Sequence, residues 1–201
     1  MIHRIVYFDF ETGGLEPAQP EIQLAAIATE AGEEIDAFEA KIQFHEADAD
    51  PEALRINKYD AEVWRKEAKP ERMVVNEFSN FLRKHATLQK TSKRTGNNYK
   101  VAWLAGHNIA KFDIPRLSAM FERHKQFLAA ETFRPLDTLQ LAAWCAASTG
   151  LVTDNFTLST LCGVLEIDSS GAHEALADVR MSFALTTALQ QRLAAAEQAA
   201  G

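Results

Sequence analysis

The chain is poor in the residues that build disulfide frameworks and membrane spans. Cysteine occurs only twice in 201 residues, which is too few for a disulfide framework or a thiolate metal site. No apolar run approaches the roughly 20 residues that cross a bilayer, and the first residues lack the apolar stretch of a signal peptide. We therefore expect a cytoplasmic protein that is kept reduced and does not enter membranes.

Basic residues are outnumbered by acidic ones, 21 to 28, and the formal net charge is −7. This balance argues against a broad basic surface of the kind that grips duplex nucleic acid. It leaves open the binding of a short single-stranded end, because carboxylates that hold divalent ions present a positive local field to phosphate. The hydrophobic and charged fractions, 47% and 24%, are normal for a globular fold, and the length suits one domain over residues 1–201.

The hydrophobic pattern predicts an antiparallel start followed by strands and helices in alternation. β-branched and aromatic residues predict strands over 5–10, 22–29 and 35–44, with a tight turn at 31–32. The pattern then takes a helical period that is interrupted by two more apolar strand segments. This order predicts an α/β fold with a mixed sheet and helices on its faces. The predicted helices are 51–57, 61–66, 70–86, 114–127, 138–147, 158–164 and 172–195; the later strands are 101–106 and 132–136; and the Ala-rich end, 194–201, is expected to fray.

One segment, residues 87–100, has four basic residues, no acidic ones and the turn sequence Gly96-Asn97-Asn98. We expect a loop or a mobile hairpin. It could follow the phosphates of a bound strand with a tyrosine available to stack on a base, or it could be a solvated hairpin that contacts nothing. The side chains concerned are Lys90, Lys93, Arg94, Lys100 and Tyr99.

The first acidic motif lies at the end of the first predicted strand. Alternate side chains of a strand share a face, so Asp9 and Glu11 project together, with attachment points about 7 Å apart. Two carboxylates at that spacing can coordinate a hard divalent ion such as Mg²⁺ or Mn²⁺. The simpler alternative is a strand that ends in water with two acids at its mouth.

The second motif, residues 106–115, follows a predicted strand and begins a helix. Asp113 with Pro115 is also typical of an ordinary helix N-terminus, with the aspartate as its cap. His107 precedes a turn and is predicted to be structural, and Asp137 is interpreted as the cap of a later helix rather than as a site residue. Alone, this motif does not predict a site.

The third motif places His173 five residues before Asp178. In a regular helix these side chains would be about 140° apart and would not share a face. They could serve one site if His173 lies on the approach to the helix and Asp178 within it, which Gly171 makes reasonable. Taken alone, this spacing is a weak signal.

Together, the three motifs resemble those of the DnaQ-like exonuclease superfamily in its DEDDh branch: Asp9-Phe10-Glu11, then Asn108 to Asp113, then His173 to Asp178. The resemblance extends from about residue 5 to 193 and implies a ribonuclease H-like fold and 3′→5′ exonuclease activity. Three residues separate Asn108 from Phe112, a spacing similar to that of three-prime repair exonucleases and exonuclease I. The Pro-rich insertion of the mammalian repair enzymes is absent.

The resemblance also implies a role for each motif residue. Asp9, Glu11 and Asp178 would ligate one of two divalent ions, Mg²⁺ or Mn²⁺. Asp9 would bridge to the second ion, Asp113 would support that side, and His173 would be the general base. A histidine suits that task because its ordinary pKa lies near working pH. The implied substrate contacts are Thr12, Gly13, Gly14, Leu15, Asn108, Phe112 and His173.

The implied partner is the single-stranded 3′ end of DNA. RNA stays possible, because oligoribonuclease and ribonuclease T share the same catalytic residue types. Two alternatives of other classes are a catalytically silent nucleic-acid-binding module on the same fold and a structural subunit that anchors other proteins. Trp64, Trp103 and Trp144 lie in apolar patterns and are predicted to be core residues rather than platforms for bases.

Overall fold

The computed structural model describes residues 3–169 and 174–200. Gly171, Ala172 and His173 therefore lie outside the described residues. The predicted start of the last helix at Ala172 and the role expected of His173 remain predictions. In the described part of the chain, no helix is long and apolar enough to cross a membrane.

The first three strands form the predicted antiparallel meander. They are β1 (Ile5–Thr12), β2 (Glu21–Glu30) and β3 (Glu33–Lys41). Between β2 and β3, Ala31 and Gly32 both have positive φ angles, 54° and 85°. This is the backbone twist that two-residue hairpin turns require, so the predicted turn is confirmed.

The second half of the sheet is built on β5 (Asn98–Gly106), which runs parallel to β1. The antiparallel partner of β5 is β4 (Leu88–Thr91), and its parallel partner is β6 (Ala130–Asp137). The path through the sheet is β3-β2-β1-β5-β4, with β6 also paired to β5. The predicted mixed sheet is confirmed. The segment 87–100 is the β4–β5 hairpin, which adds a third short strand to the two expected after the meander.

The helices fall where the helical period predicts them. One end differs in a way that has a local cause: the fourth helix stops at Arg123, whereas the pattern predicted 127. Lys125 takes a left-handed φ of 54°, and its amide donates to the carbonyl of Glu122, a turn that ends a helix. The seventh helix continues to Ala200, past the point where fraying is expected. The helices are α1 (Pro51–Ile56), α2 (Ala61–Glu67), α3 (Glu71–Lys84), α4 (Asp113–Arg123), α5 (Thr138–Thr149), α6 (Leu158–Val164) and α7 (Ala175–Ala200).

The two faces of β1 bury different side chains. Phe8 and Phe10 pack with Phe78 of α3 and Phe121 of α4 in the main core. Because strand side chains alternate, Tyr7 lies on the opposite face, in a second cluster with Val179 and Phe183 of α7. Helices therefore cover both faces, as predicted. Asp9 and Glu11 share the alternation of Tyr7, so they project from the face that α7 covers.

The tryptophan prediction is right for Trp64, which is buried, and wrong for Trp144, whose exposed fraction is 68%. On α5, the buried side chains of Ala142 and Cys145 are three residues apart and face inward. Trp144 is turned about 100° from Cys145 around the helix, so it points to solvent. Trp103 is half-buried and donates its indole N–H to the carbonyl of Arg134.

Candidate active site

Three carboxylates meet where the end of β1 faces the first turns of α7. Asp9 and Glu11 come from the strand and Asp178 from the helix. One oxygen from each side chain lies within 4.8 Å of the others. Three oxygens this close suit a hard divalent cation such as Mg²⁺ or Mn²⁺. The structure thus brings together the first and third acidic motifs, which are far apart in the sequence.

The electrostatics of this cluster favour a bound cation. Burial, followed by the charges of Asp113, Glu11 and Asp178, raises the pKa of Asp9 well above its ordinary value. Burial and the charge of Asp178 raise the pKa of Glu11 to about 7. Among the described residues, no donor forms a hydrogen bond with the buried Oε1 of Glu11. A buried carboxylate oxygen without a donor is costly unless a cation compensates it.

Asp113, the fourth carboxylate, is buried beside the same strand. Its Oδ1 accepts a hydrogen bond of 3.2 Å from the backbone amide of Phe10, the residue between the two acids of the first motif. Burial raises the pKa of Asp113 to about 7, although the hydrogen bond from Phe10 and the nearby Arg116 charge oppose this rise. The residue at the N-cap of α4 is Phe112, with no side-chain cap. The interpretation of Asp113 as a plain helix cap is therefore wrong.

The loop of the second motif is held by Asp137, a role that the sequence did not indicate. Asp137 caps α5 by accepting from the Leu139 amide, as predicted. It also accepts from the amides of Asn108 (2.9 Å) and Ala110 (3.0 Å). This contact arises because the parallel pairing of β5 and β6 places Gly106 opposite Asp137, which no local pattern reveals. Asn108 has a left-handed φ of 59°.

His107 lies beside this loop and is structural, as predicted. Its two ring nitrogens contact the hydroxyl of Thr138 and the carbonyl of Phe156, each at 2.9 Å. Burial lowers the pKa of His107. With both nitrogens engaged, the ring has no lone pair left for a metal ion.

The loop after the first motif is compact and presents one apolar side chain to solvent. The hydroxyl of Thr12 donates to the carbonyl of Gly14, and the amide of Gly13 donates to the carbonyl of Pro20. Gly14 has a φ of +144°, a backbone conformation that residues with a side chain rarely adopt. Glycine therefore suits this position. Leu15, at the outer edge of the loop, is 81% exposed.

Arg116 of α4 fastens this loop and was not anticipated from the sequence. Its guanidinium is buried and lies 4.5 Å from the ring centre of Phe112. An arginine on the inner face of a helix indicates a functional contact only when its partners are known, and the sequence does not give them. The hydrogen-bond acceptors of Arg116 are four backbone carbonyls of the loop, at distances of 2.9 to 3.2 Å: Gly14, Leu15, Glu16 and Gln19. Its Nη1 also lies 3.6 Å from Oε1 of the buried Glu21.

The basic β4–β5 hairpin lies at the other end of the sheet. Tyr7 is paired with Ala105 near the end of β5, so the carboxylates lie beyond that end. Strand β5 runs from Asn98 to Gly106. Its first residue therefore lies eight residues before its last, which corresponds to about 26 Å of strand. The ammonium of Lys90 is paired with the buried carboxylate of Glu131, and the ring of Tyr99 contacts Phe127. Phosphates next to the carboxylates are out of reach of the hairpin tip.

Solved structures with the same fold come from exonuclease I. The E. coli enzyme, in a zinc-bound complex with single-stranded DNA, superposes with a TM-score of 0.75 at 18% identity, over 98% of this chain and 42% of that one. The E. coli enzyme with a dA16 oligonucleotide gives 0.73 at 18% identity over 96% and 42%. Exonuclease I of Methylocaldum szegediense gives 0.75 at 18% identity over 96% and 42%. The chain spans less than half the length of these proteins.

None of the curated protein sequences compared with the chain matches it. The sequence model of the RNase T family, described as exonuclease, matches residues 6–95 and 98–186. These ranges contain all three acidic motifs and most of the described chain. The chain therefore belongs to the RNase T exonuclease family, in the DnaQ-like superfamily that its motifs resemble.

Proposed function

We propose that this protein is a metal-dependent 3′→5′ exonuclease that releases nucleoside monophosphates from the 3′ end of single-stranded nucleic acid, with DNA preferred. The observation that supports this most is the cluster of Asp9, Glu11 and Asp178, whose oxygens lie within 4.8 Å of one another. In a member of an exonuclease family, such a cluster has the ligand chemistry that phosphodiester hydrolysis uses.

Each carboxylate has a distinct part in the proposed mechanism. Asp9, Glu11 and Asp178 would hold one ion, and Asp9 and Asp113 would help to hold a second. Two bound ions would activate the attacking water and stabilise the attacking and leaving oxygens. The amide of Phe10 keeps the Asp113 carboxylate against the strand. His173 is proposed as the general base, from its place in the third motif.

The loop after the first motif would receive the terminal nucleotide. Its exposed apolar side chain, Leu15, and the hydroxyl of Thr12 lie immediately beyond Glu11. Asn108 and Phe112 approach from the second motif, beside Asp113. DNA is preferred because exonuclease I, which shares the fold, was crystallised with deoxyoligonucleotides. RNA is the alternative substrate, since nothing in the carboxylate chemistry selects the sugar.

The test is digestion of matched single-stranded DNA and RNA oligonucleotides labelled at the 5′ end. With Mg²⁺ or Mn²⁺, the labelled strand should shorten as a ladder, and a 3′-blocked strand should resist. Degradation from the 5′ end would instead release a labelled mononucleotide at once. Asp178→Ala should abolish the ladder, whereas Asp154→Ala, an exposed loop aspartate, should not change it.

A catalytically silent binding module is the competing function. It predicts binding of the oligonucleotide without shortening at any metal concentration. All four carboxylates are present and near one another, with the pKa values of Asp9, Glu11 and Asp113 raised, which argues against a decayed site. A well-folded protein that gives no metal-dependent product would overturn the exonuclease proposal.

A further inference from the structure

The turn after α1 places a lysine in a position that normally suits glycine. Lys58 has a left-handed φ of 52°. Its amide donates to the carbonyl of Arg55 at 3.3 Å, and the amide of Tyr59 donates to the carbonyl of Leu54 at 2.9 Å. This pair of hydrogen bonds is the Schellman motif, whose left-handed residue is usually glycine because a side chain is strained there.

Backbone strain alone does not give Lys58 a function. Lys125 after α4 and Glu166 after α6 have the same left-handed conformation, with φ angles of 54° and 56°. Both close a helix with the same pair of backbone hydrogen bonds. Lys58 differs from these two residues because its turn is hydrogen-bonded to the first acidic motif.

The turn that carries Lys58 is fastened to the first acidic motif. The side-chain amide of Asn57 donates to the backbone carbonyl of Thr12 at 2.9 Å, and Thr12 directly follows Glu11. The Lys58 side chain therefore starts beside the carboxylate cluster. Its positive charge opposes the rise in the pKa of Glu11.

The ammonium of Lys58 lies between the first and third motifs. We call this gap, between Thr12 on one side and Glu174 on the other, the opening of the site. The Nζ of Lys58 lies 3.3 Å from Oε1 of Glu174, one residue before α7 and four residues before Asp178. Both side chains are more than half exposed. Ion pairs this exposed contribute little to stability and exchange readily. In the described part of the chain, the other cation whose charge shifts the pKa of one of the four carboxylates is Arg116, which lowers that of Asp113. The Arg116 guanidinium is buried and donates to a carbonyl of the loop after the first motif.

We propose that Lys58 is a substrate-binding residue, whose ammonium leaves Glu174 and binds a non-bridging phosphate oxygen of the strand held at the carboxylate cluster. This rests on the proposed exonuclease function. A phosphate oxygen offers an ammonium a charge-assisted hydrogen bond, and the exposed ammonium of Lys58 is free to move to one because its pair with Glu174 is weak. Glu174 holds the lysine at the opening while no strand is bound.

The competing explanation is that the Lys58–Glu174 pair only steadies the start of α7. The two explanations differ in what removal of each partner does. If Lys58 binds phosphate, Glu174→Gln frees the lysine and leaves KM unchanged or lower. If the pair is only structural, Glu174→Gln and Lys58→Met cause the same defect.

The experiment measures KM and kcat on a short single-stranded oligothymidylate over a range of salt concentrations. Lys58→Met should raise KM about tenfold, the size of one lost hydrogen bond to a charged group, with a smaller change in kcat. It should also reduce the slope of log KM against log salt by about 0.7, the value for one cation on a single strand. Lys58→Arg should restore most of the affinity.

Two variants control for folding and for surface charge. Lys58→Gly should melt at or above the wild-type temperature, because glycine suits the left-handed turn, and should still show the raised KM. Lys125→Met removes a lysine from the matching turn at the far end of α4 and should change neither parameter. A Lys58→Met variant with wild-type KM and salt slope would refute the proposal, as would a Glu174→Gln variant with the same defect.

Equilibrium binding separates failure of this proposal from failure of the proposed function. The anisotropy of a fluorescein-labelled oligothymidylate is measured with Ca²⁺, which also binds carboxylates. If the wild type releases no nucleotide, the exonuclease proposal fails, and loss of affinity and salt slope in Lys58→Met still supports the phosphate contact. If the wild type is active and Lys58→Met binds equally well, only the Lys58 proposal fails.

Discussion

The carboxylate of Asp113 accepts a hydrogen bond of 3.2 Å from the backbone amide of Phe10, 103 residues earlier in the chain. Phe10 buries its ring in the main core, while its neighbours Asp9 and Glu11 project from the opposite face of β1. The second motif is thus attached to the first by the backbone itself. The result is a group of neighbouring acids, three of them with raised pKa values.

Metal binding should stabilise the folded protein, and Asp178 should be one of the ligands responsible. Because Asp9, Glu11 and Asp178 repel one another without a cation, Mg²⁺ or Mn²⁺ should raise the melting temperature, and the shift should grow with the logarithm of the metal concentration above Kd. Asp178→Ala should lose most of the shift with metal, because the variant keeps only two of the three clustered carboxylates. Calorimetric melts with and without EDTA check this. An undiminished metal shift in the variant would place the ion elsewhere.

The stability of the metal-free protein should fall as pH rises. The pKa of Glu11 is about 7 in the folded state against 4.5 ordinarily, so the folded state binds more protons between these values. Its contribution is present below about pH 4.5 and is lost as pH rises through about 7. The loss is on the order of 3 kcal/mol for a shift of this size. Urea unfolding at pH 5 and pH 8 measures it.

The variant Glu11→Gln isolates this effect from other titrations. It should reduce the fall in the free energy of unfolding between pH 5 and pH 8, because the glutamine carries no proton to lose, whereas the raised pKa values of Asp9 and Asp113 leave a residual fall. Saturating Mg²⁺ should flatten it in the wild type as well, since a cation stabilises the ionised carboxylates. If the free energy of unfolding of Glu11→Gln fell as much as that of the wild type between pH 5 and pH 8, Glu11 would not contribute to the fall.

Arg116 should stabilise both the fold and the loop that we propose receives the terminal nucleotide. Arg116→Met leaves the four loop carbonyls, from Gly14 to Gln19, without their donor. We expect about 2–4 kcal/mol of lost stability and a raised KM with a smaller change in kcat, because the loop loosens while the carboxylates stay. Urea unfolding and steady-state kinetics measure the two effects.

Arg123 provides the matched control for that variant. It lies two turns later on α4 and pairs with Glu21 and Glu71, but its side chain is 46% exposed. Glu21 is buried and also lies 3.6 Å from Arg116, so Arg123→Met should cost some stability, but less than Arg116→Met. It should leave KM unchanged, because the hydrogen bonds of Arg123 go to Glu21 and Glu71 rather than to the loop. Equal effects from the two arginines would contradict a specific role for Arg116.

Leu15 should matter for substrate and not for folding. With 81% of the side chain exposed, Leu15→Ala should change the free energy of unfolding by less than about 0.5 kcal/mol. If the side chain packs on the terminal base, KM should rise by several-fold, about 1 kcal/mol of lost apolar contact. Val152→Ala, at 84% exposed on a different loop, should change neither quantity. A Leu15→Ala enzyme with wild-type KM would remove Leu15 from the substrate site.

The helices and most strands could be predicted because their causes are local. The alternation in β1, the turn at Ala31 and Gly32, and the Asp137 cap each depend on neighbours a few residues away. The three acidic motifs also stand in the sequence, and their order indicated the family that the sequence model matches. Two predictions that were wrong are the burial of Trp144, which depended on the direction in which a helix face turns, and the end of α4, which depended on the left-handed conformation of Lys125.

The sequence by itself determined the secondary structure, the acidic residue types and the exonuclease family. Tertiary structure decided how these residues meet. The parallel pairing of β1 with β5 brings Asp113 to Phe10, and packing of α7 on the sheet brings Asp178 to Asp9. The same packing sets Lys58 at the opening. Such contacts depend on which apolar faces bury each other, and that choice is made by the whole core rather than by any segment.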